Sequence, residues 1–334
     1  MTNKDIHPYA RLSPEVVLDA IEQFGLECTG ALTPLNSYEN RVYLAETEPH
    51  PSIGTSVVAK FYRPHRWTDA AIAEEHDYAG ELAEREIPVV APLRTDGRSL
   101  LEHDGFRVAV YPRIRGYAPE IDRPDILAWI GRFLGRIHAV GATARFDHRP
   151  AVDVDTLGYA ALNRLLDTDL LPIEARTPYE AAARELLTAV EARLQALGPM
   201  RHIRLHGDCH AGNILWTTDG PYFVDLDDCR SGPAIQDLWM LLSGRKEEME
   251  LQLGHMLGGY RQFHDFDHAE LLLVELLRGL RAVHYASWIA SRWTDPAFPP
   301  AFPWFGTVRY WEDQTQQLRD QLVRLDDVLS PAYI

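Results

Sequence analysis

The sequence predicts an α+β protein of two lobes, a smaller one rich in strands and a larger one made mainly of helices. Through roughly the first 110 residues, short apolar runs alternate with turn-forming residues, a pattern typical of strands. From Asp122 onward, apolar residues recur at helical spacing instead. A chain of 334 residues is long enough for both lobes. We therefore expect an N-terminal lobe over residues 1–112 and a C-terminal lobe over residues 113–334.

The N-terminal lobe should contain two helices and four strands. The first helix spans Ser13–Phe24, with Ser13 as its N-cap and Pro14 in the first helical position. The predicted strands are Cys28–Leu35, Arg41–Glu46, Thr55–Tyr62 and Phe106–Tyr111. Their lengths and their Val, Thr and Tyr content are typical of strands. The second helix, over Thr68–Glu86, ends before Ile87-Pro88 because the residue preceding a proline disfavours the helical conformation.

Three long helices are predicted in the C-terminal lobe. The first presents one apolar face, and the second begins at Thr177, which forms a capping box with Glu180. The third follows Asp267 and Glu270, which repeat the capping pattern. The proline- and aromatic-rich segment 296–305 is interpreted as a packed surface loop, with a lid or a partner-docking segment as the alternative.

The charge balance restricts the classes of partner. Lys and Arg number 33 against 49 Asp and Glu, a formal net charge of −16 that repels nucleic-acid backbones and anionic membrane surfaces. Lys4 and Asp5 lie where a signal peptide would need apolar residues, so we expect a cytoplasmic protein. Cys28, Cys209 and Cys229 are too few and too scattered for a disulfide framework and are expected to be reduced thiols.

A short polar segment between the second and third long helices carries the chemistry. The strand-like runs 214–216 and 222–224 flank a five-residue turn and predict a hairpin. If Trp216 pairs with Tyr222, then Asn213 lies opposite Asp225 at the open end of the hairpin. Directly opposed residues have Cβ atoms about 5 Å apart, so the two side-chain oxygens could share one Mg²⁺ ion.

Asp208 completes this group of polar residues. It lies five residues before Asn213, in a loop that contains Gly207 and Gly212. A carboxylate beside a metal that it need not ligate can act as general base for a hydroxyl nucleophile. Asp208 or Asn213 alone would be better explained as a residue that caps a turn. Their combination with Asp225 favours a catalytic metal site.

The residue types of the same segment suggest two other chemistries. His206 and His210, with Asp208 and Cys209, resemble zinc ligands, but no second Cys/His cluster follows at a zinc-like interval. His206 is flanked by apolar residues and is better interpreted as a core histidine that orients the loop. Cys209 could act as a nucleophile only with a base beside it, and no feature of the sequence identifies such a base.

The motif His206-Gly-Asp208-x-His210-x-Gly-Asn213, followed by Val224-Asp225, resembles the catalytic loop and metal-binding aspartate of the aminoglycoside phosphotransferase and choline kinase family. The resemblance implies a bilobal protein-kinase-like fold, with a small antiparallel-sheet, nucleotide-binding N-lobe and a larger, mainly helical, catalytic and substrate-binding C-lobe. It makes Asp208 the proton acceptor and Asn213 and Asp225 the residues that hold Mg²⁺, with ATP as co-substrate.

The same resemblance implies roles for residues of the N-terminal lobe. Lys60, in Val57-Val-Ala-Lys60, resembles the strand lysine that holds the nucleotide phosphates. An acidic residue on the next helix should pair with it, and Glu75 is our choice, with Glu74 as the alternative. Tyr111-Pro-Arg113 resembles the hinge whose backbone meets adenine.

Further residues are assigned supporting roles by resemblance. Ser37 would contact the nucleotide, and Asp237 would brace the catalytic loop. Neither G-x-G-x-x-G nor G-x-x-x-x-G-K-[ST] occurs, so residues 36–40 must cover the phosphates with turn-forming polar residues. No Ala-Pro-Glu element or long activation segment follows Asp225, so regulation by activation-loop phosphorylation is not expected.

Longer matches over residues 35–43, 206–216, 223–228 and 232–239 resemble a bacterial subgroup that phosphorylates serine and threonine in proteins. We therefore expect a monomeric, ATP- and Mg²⁺-dependent serine/threonine protein kinase of a stress response, with autophosphorylation included among its reactions. One alternative is a kinase of a small alcohol such as an aminoglycoside, choline or homoserine. Another is a silent nucleotide-binding scaffold, although the presence together of Lys60, Asp208, Asn213 and Asp225 argues against it.

Overall fold

The computed structural model describes residues 7–51 and 53–331, and the chain divides into two compact units. The first unit comprises Met1–Glu120, Phe146–Arg149 and His210–Cys229. The second unit comprises Ile121–Arg145, Pro150–Cys209 and Arg230–Ile334. The predicted lobe boundary after residue 112 stays a prediction. Lys4 and Asp5, on which the expected localisation rests, lie outside the described residues.

The secondary structure follows the predicted order along the chain. The strands are β1 Cys28–Leu35, β2 Arg41–His50, β3 Gly54–Phe61, β4 Leu101–His103, β5 Phe106–Pro112, β6 Ile203–Leu205, β7 Ile214–Thr217, β8 Gly220–Phe223 and β9 Arg230–Gly232. The α-helices are α1 Pro14–Glu22, α2 Asp69–Glu84, α3 Pro124–Gly141, α4 Ala160–Leu166, α5 Ile173–Leu197, α6 Ile235–Trp239, α7 Lys246–Tyr260, α8 Val274–Ala290, α9 Phe298–Ala301 and α10 Val308–Arg324. Over the residues described, every helix falls short of the length or the apolarity that crossing a membrane requires.

The first unit is built on an antiparallel sheet of five strands in the order β1-β2-β3-β5-β4. The four predicted strands are confirmed, and β4, which has three residues, was not predicted because so short a run has no periodicity. Helix α1 is confirmed with Ser13 as its N-cap, and its Val17 and Ile21 pack into an apolar core with Phe61 and Val108 of the sheet. This core fixes the position of β3 and therefore of Lys60.

The hairpin of β7 and β8 also belongs to the first unit, but its predicted register was wrong by one residue. Leu215 pairs with Tyr222, and Thr217 pairs with Gly220, so the strands are joined by two residues rather than five. Gly220 has φ 113°, a conformation that glycine adopts readily, and this allows the tighter turn. Asn213 consequently faces Val224, whose N–H donates to the Asn213 carbonyl oxygen at 3.0 Å, and not Asp225.

The second unit is mainly helical, and its tightest packing joins α3 to α7. A Cβ at Gly131 would lie 2.0 Å from the carbonyl oxygen of Met256, and one at Gly135 would lie 2.4 Å from that of Tyr260. Glycine at these positions lets the two backbones approach to a distance that any side chain would prevent. The close contact holds the C-terminal half of α3, which carries His138, against α7.

Two helix starts in the second unit differ from the prediction. Helix α5 begins at Ile173, and Thr177 with Pro178 lies within its first turns rather than at its start. Pro178 is the sixth residue of α5, where it has no N–H to donate to the carbonyl oxygen four residues earlier, and the helix continues through it. Asp267 caps a short 3₁₀ turn that precedes α8, while the Glu270 carboxylate accepts a hydrogen bond from the Ile235 N–H at 2.8 Å instead of closing a capping box.

The proline- and aromatic-rich segment 296–305 is packed, as interpreted from the sequence. Phe298, Phe302 and Phe305 are buried, and α9 forms at its centre. Phe298 and Phe302 lie against the ring of Trp288 on α8, with ring centroids 5.2 and 6.0 Å away. These contacts give the segment a structural role.

Candidate active site

Lys60 is the centre of a charged cluster within the first unit. Its ammonium nitrogen, Nζ, lies 2.8 Å from Asp225 Oδ1, 3.6 Å from Glu75 Oε1 and 4.0 Å from Asp227 Oδ1. The Lys60 side chain is 9% exposed, so it is nearly removed from bulk water. The sheet places it, because Lys60 pairs with Val42 of β2 and Ala109 of β5 in the middle of β3. The charge of the Lys60 ammonium group is therefore satisfied by carboxylates rather than by water.

Helix α2 determines which of two neighbouring glutamates faces Lys60. Glu75 is buried and directed towards the lysine, whereas Glu74 points another way. The Glu74 carboxylate accepts hydrogen bonds from the backbone N–H groups of Asp147 at 2.6 Å and His148 at 2.8 Å. Adjacent helical residues lie about 100° apart around the axis, so only one of the pair can face the sheet. The geometry therefore favours Glu75 over Glu74 as the partner of Lys60.

Burial and charge act in opposite directions on this pair. Burial by itself would lower the pKa of Lys60, but Asp225 and the neighbouring carboxylates raise that pKa well above its ordinary value. Burial raises the pKa of Glu75 to about 7, against the lowering effect of Lys60. The Lys60 side chain is therefore firmly protonated.

The acidic segment 225–228 follows β8, and the carboxylates of Asp225 and Asp227 lie near Lys60 Nζ. Asp225 adopts the left-handed conformation with φ 60° and ψ 61°, and its side chain is 51% exposed. Asp227 is buried, accepts hydrogen bonds from Asn40 and Arg66, and has one oxygen, Oδ1, that accepts none. Asp225 thus has the most exposed carboxylate of this segment, ahead of Asp228 at 30% and Asp227 at 4%.

Two arginines clamp the acidic segment within the first unit. Arg66 pairs with Asp227 and, at 2.8 Å, with both carboxylate oxygens of Asp228. Arg149 donates to the backbone carbonyl oxygens of Asp227 and, at 2.9 Å, of Cys229. The guanidinium of Arg149 also lies 4.0 Å from the ring centroid of Trp67. The hydrogen bonds of Arg66 and Arg149 fix the backbone of segment 225–228, whose first residue, Asp225, has the left-handed conformation.

The β1–β2 loop is held by a third arginine. Arg63 donates from Nε to the Glu39 carbonyl oxygen at 2.8 Å and from Nη2 to the Tyr38 carbonyl oxygen at 3.1 Å. The Arg63 N–H donates to Asn40 Oδ1 at 3.0 Å. Ser37 lies half-buried in this loop. The loop is therefore anchored by polar contacts with one arginine.

Tyr111 takes part in a buried polar network beside Lys60. Its hydroxyl is 3.0 Å from the Tyr62 hydroxyl and 3.3 Å from His76 Nε2, and its ring centroid is 5.5 Å from Lys60 Nζ. Burial lowers the pKa of His76 to about 3, which keeps that ring neutral. Arg113 is half-buried and follows directly after β5. Tyr111 thus supports the lysine through its side chain while its backbone remains part of the sheet.

Asn213 ends a short 3₁₀ turn just before β7, in the first unit. Its N–H donates to the His210 carbonyl oxygen at 2.9 Å, and its own carbonyl oxygen accepts from Val224. The backbone of Asn213 is thereby tied to the residue that precedes Asp225. The structure brings the two residues to the same end of the hairpin, although they are not directly paired across it.

In the second unit, Asp237 organises the loop that carries Asp208. The Asp237 carboxylate accepts hydrogen bonds from the N–H groups of His206 and Gly207, both at 2.8 Å. It also lies 3.1 Å from His138 Nε2, while His138 Nδ1 lies 2.9 Å from the Tyr260 hydroxyl. Burial would raise the pKa of Asp237, but the hydrogen bonds and charges around it hold that pKa below its ordinary value. Asp237 is therefore an ionised carboxylate that fixes a backbone turn.

Asp208 lies directly after this turn, in the same unit. Its Oδ1 is 2.9 Å from Nη1 of Arg281 on α8, and its side chain is 26% exposed. Gln236 supports the loop by donating to the Gly207 carbonyl oxygen at 3.1 Å. The adjacent Cys209 is buried, and burial raises the pKa of its thiol, so a nucleophilic thiolate is disfavoured.

The residues present fit a Mg²⁺–nucleotide complex better than a protein-only metal site. No group of three or more His, Cys, Asp or Glu residues suited to hold a metal occurs within residues 7–51 and 53–331. Mg²⁺ is commonly bound by one or two carboxylates together with substrate phosphates. Asp225 supplies a half-exposed carboxylate, and buried Asp227 has an oxygen without a hydrogen bond. Hard oxygen donors of this kind are what Mg²⁺ needs.

Several charged residues of the site were not found in the sequence. Arg66 and Arg149 of the first unit and Arg281 of the second lie far in the chain from the aspartates that they contact. The neighbourhood of Arg66, in Arg63-Pro-His-Arg66-Trp67, is compact and rich in charge and aromatic residues. Such a composition does not distinguish a buried arginine from a solvated one, because only the tertiary fold brings the partners together.

The chain matches a known enzyme family over most of its length. A model of the phosphotransferase enzyme family, abbreviated APH, matches residues 31–274. The chain therefore belongs to this family and is a phosphotransferase. The resemblance drawn from the His206 to Asp225 motif is confirmed.

Close relatives extend over the whole chain. Stress response kinase A of Escherichia coli (strain K12) is 43% identical, over 99% of this chain and 100% of that protein. Serine/threonine protein kinase RdoA of Salmonella typhimurium (strain LT2) is 42% identical with the same coverage. Among solved structures, amicoumacin kinase hAmiN in complex with AMP-PNP, Ca²⁺ and Ami has a TM-score of 0.69 at 20% identity, over 96% of each chain. The predicted kinase-like fold is confirmed.

Proposed function

We propose that this protein is an ATP- and Mg²⁺-dependent kinase that transfers the γ-phosphate to serine and threonine hydroxyls of proteins. The observation that carries the proposal is the buried pairing of Lys60 with Glu75 and Asp225 in the first unit. A buried lysine held between two carboxylates has little structural value by itself, because the desolvation cost offsets much of the attraction. The buried lysine is explained if the phosphates of a nucleotide replace one of the two carboxylates as its partner.

The nucleotide would be bound by residues of the first unit. Lys60 would hold the phosphates, with Glu75 fixing its position, and the anchored loop that contains Ser37 would cover them with backbone N–H groups. The backbone at Tyr111 and the following residues to Arg113 would meet the adenine. Binding requires Lys60 to exchange its 2.8 Å contact with Asp225 for phosphate oxygens.

Asn213 and Asp225 would hold Mg²⁺. When bound, this ion would neutralise negative charge on the phosphates during transfer. Asp225 is suited to the role because its side chain is half-exposed and its backbone is fixed by the clamped acidic segment. The negative charge of segment 225–228 also means that free ATP, without its metal, would be repelled.

Asp208 would orient the acceptor hydroxyl and take its proton. A bond forms between the hydroxyl oxygen and the γ-phosphorus while the bond from that phosphorus to the β,γ-bridging oxygen breaks, and ADP leaves. Asp237 would act indirectly, because it accepts hydrogen bonds from the His206 and Gly207 N–H groups and so fixes the turn before Asp208. Accurate positioning of this kind supplies much of the rate in phosphoryl transfer.

Proteins are the proposed acceptors because one relative that matches nearly the whole chain, serine/threonine protein kinase RdoA, is named for this class at 42% identity. The name of another relative, stress response kinase A at 43% identity, supports a role in a stress response. Autophosphorylation and a monomeric state belong to the same proposal.

Transfer from γ-labelled ATP tests the proposal. Purified protein is incubated with MgATP, a panel of generic proteins, and a panel of aminoglycosides, choline and other small alcohols. We expect label in protein, with Asp208→Asn as the control that abolishes it. Rapid labelling of one small alcohol without protein labelling would contradict the proposed acceptor class. A second arm measures ATP binding with and without a chelator, and equally tight binding in both would contradict the proposed role of Mg²⁺.

A further inference from the structure

The proposed proton acceptor has a cationic neighbour in its own unit. Arg281 Nη1 lies 2.9 Å from Asp208 Oδ1, and the two side chains are 43% and 26% exposed. The pair is thus at the surface of the second unit, where an acceptor must reach Asp208. An acceptor hydroxyl that approaches this carboxylate also approaches the guanidinium.

Arg281 is held by a rigid element and not by a loose surface loop. It lies on α8, and its neighbours Leu280 and Val283 are buried in the unit. Arg278, one turn earlier, is fully engaged elsewhere, because it donates to Glu275 at 2.6 Å and lies 5.7 Å from the ring centroid of Trp239. The two arginines therefore have separate tasks, and only Arg281 faces Asp208.

The charge of Arg281 has a direct consequence for acceptors. An acceptor that carries a positive charge close to its hydroxyl would bring two like charges together in a partly desolvated site. An acceptor with a carboxylate close to its hydroxyl could instead pair with the guanidinium, which has five N–H donors and uses Nη1 on Asp208. The same residue thus repels one class of acceptor and attracts another.

We propose that Arg281 is a specificity-determining residue of the acceptor site, which favours serine or threonine with an adjacent acidic side chain and disfavours cationic acceptors. The inference rests on the proposed function and deepens it. It also separates this chain from kinases of cationic alcohols, for which an arginine beside the proton acceptor would be unfavourable. Specificity of this kind is a ratio of rates, and it can be measured independently of the absolute activity.

Three peptides test this inference. They are identical except for the residue after a single serine, which is Glu, Gln or Lys, and kcat/KM is measured for each with the full-length protein and MgATP. We expect the kcat/KM of the wild type to be roughly tenfold higher for the Glu peptide than for the Lys peptide. This is the size expected when a partly exposed arginine attracts one peptide and repels the other. Arg281→Gln should bring the ratio close to one, and Arg281→Glu should invert it.

Arg309→Glu is the matched control. It makes the same change of charge in the same unit, at a side chain on α10 that is 91% exposed. We expect it to keep the wild-type ratio. Because each ratio is taken within one protein preparation, partial misfolding of a variant does not alter it. An Arg281→Glu ratio equal to that of the wild type, or a wild-type preference for the Lys peptide, would overturn the inference.

Failure of the proposed function would give a different result. Labelling of the Gln peptide by the wild type tests protein kinase activity, whatever the ratio. If no peptide is labelled but small alcohols are, the proposed acceptor class is wrong, and the ratio is then measured with a hydroxy acid and an amino alcohol of equal length. Preference for the hydroxy acid, lost in Arg281→Glu, would support the inference, and preference for the amino alcohol would overturn it.

Discussion

The two units hold their essential carboxylates in opposite ways. In the first unit, Asp225 and Asp227 are held by the charged side chains of Lys60 and Arg66. In the second unit, Asp237 is held by two backbone N–H groups and by a histidine, inside a fully buried network. One arrangement consists of ion pairs that can be exchanged, and the other consists of hydrogen bonds to a fixed backbone.

This difference corresponds to the role that the proposed function gives each group. Under that proposal, Lys60 exchanges its contact with Asp225 for phosphate oxygens, so its partners have to be replaceable. Asp237 would keep its contacts throughout, because its hydrogen bonds define the turn before Asp208. The proposal therefore assigns the ion pairs to ligand binding and the carboxylate held by the backbone to positioning.

Asp237→Asn should produce the largest loss of stability. One carboxylate oxygen becomes an NH₂ group that faces N–H donors at 2.8 Å, which leaves buried groups unsatisfied. We expect the free energy of unfolding to fall by about 3–4 kcal/mol, measured by urea denaturation. The kcat should also fall, because the loop that carries Asp208 loses its support.

Asp227→Asn in the first unit is the matched comparison. Asp227 is buried. When its carboxylate is lost, however, Arg66 can still pair with Asp228, and Lys60 can still pair with Asp225. We expect a loss of about 1 kcal/mol or less. Equal losses for the two variants would show that the carboxylates are not held in different ways.

Gly131→Ala tests whether the second unit owes its rigidity to close helix packing. The added Cβ would lie 2.0 Å from the Met256 carbonyl oxygen, so α3 and α7 must separate. Overpacking against backbone should lower the free energy of unfolding by about 2–3 kcal/mol. Gly258→Ala on α7 is the control, because nothing lies within 4 Å of its added Cβ, and helix propensity should make it neutral or slightly stabilising. Similar losses in both variants would contradict the packing argument.

The sequence predicted these regions with unequal success. The strands around Lys60 were found because each has a run of residues with clear strand composition, and Asp208, Asn213 and Asp225 were found because they lie close together in one motif. The register of the hairpin after Asn213 was wrong because it depends on a two-residue turn, and Gly220 with Pro221 was read as part of a longer one. A one-residue error of this kind changes which residues face each other along the whole ladder.

The contacts made by arginines could not have been predicted. Arg281 is 73 residues from Asp208 in the chain, and Arg66 is 161 residues from Asp227. Neither has a periodic or motif-based pattern that points to its partner, because these contacts depend on how helices and strands pack. The sequence therefore nominated the candidate reactive residues, and the structure added the arginines that contact them.

Glu270 should contribute a pH dependence to the stability of the folded chain. Burial raises its pKa from 4.5 to about 7 in the folded chain. The folded state therefore binds more protons than the unfolded state between these values, and its stability falls as the pH rises through this window. Glu270→Gln should remove a contribution on the order of 1–2 kcal/mol to the stability difference between pH 5 and pH 8, measured by urea denaturation. An unchanged pH profile would contradict the assignment.

The division of labour between the units is tested most directly by measuring MgATP binding and γ-phosphate transfer in Asp208→Asn and Asp225→Ala side by side. We predict that Asp208→Asn binds MgATP like the wild type but transfers phosphate at least roughly 10³-fold more slowly, because the proton acceptor is lost. Asp225→Ala should lose both transfer and Mg²⁺-dependent binding. Near-normal transfer by Asp208→Asn, or undiminished MgATP binding by Asp225→Ala, would contradict the account.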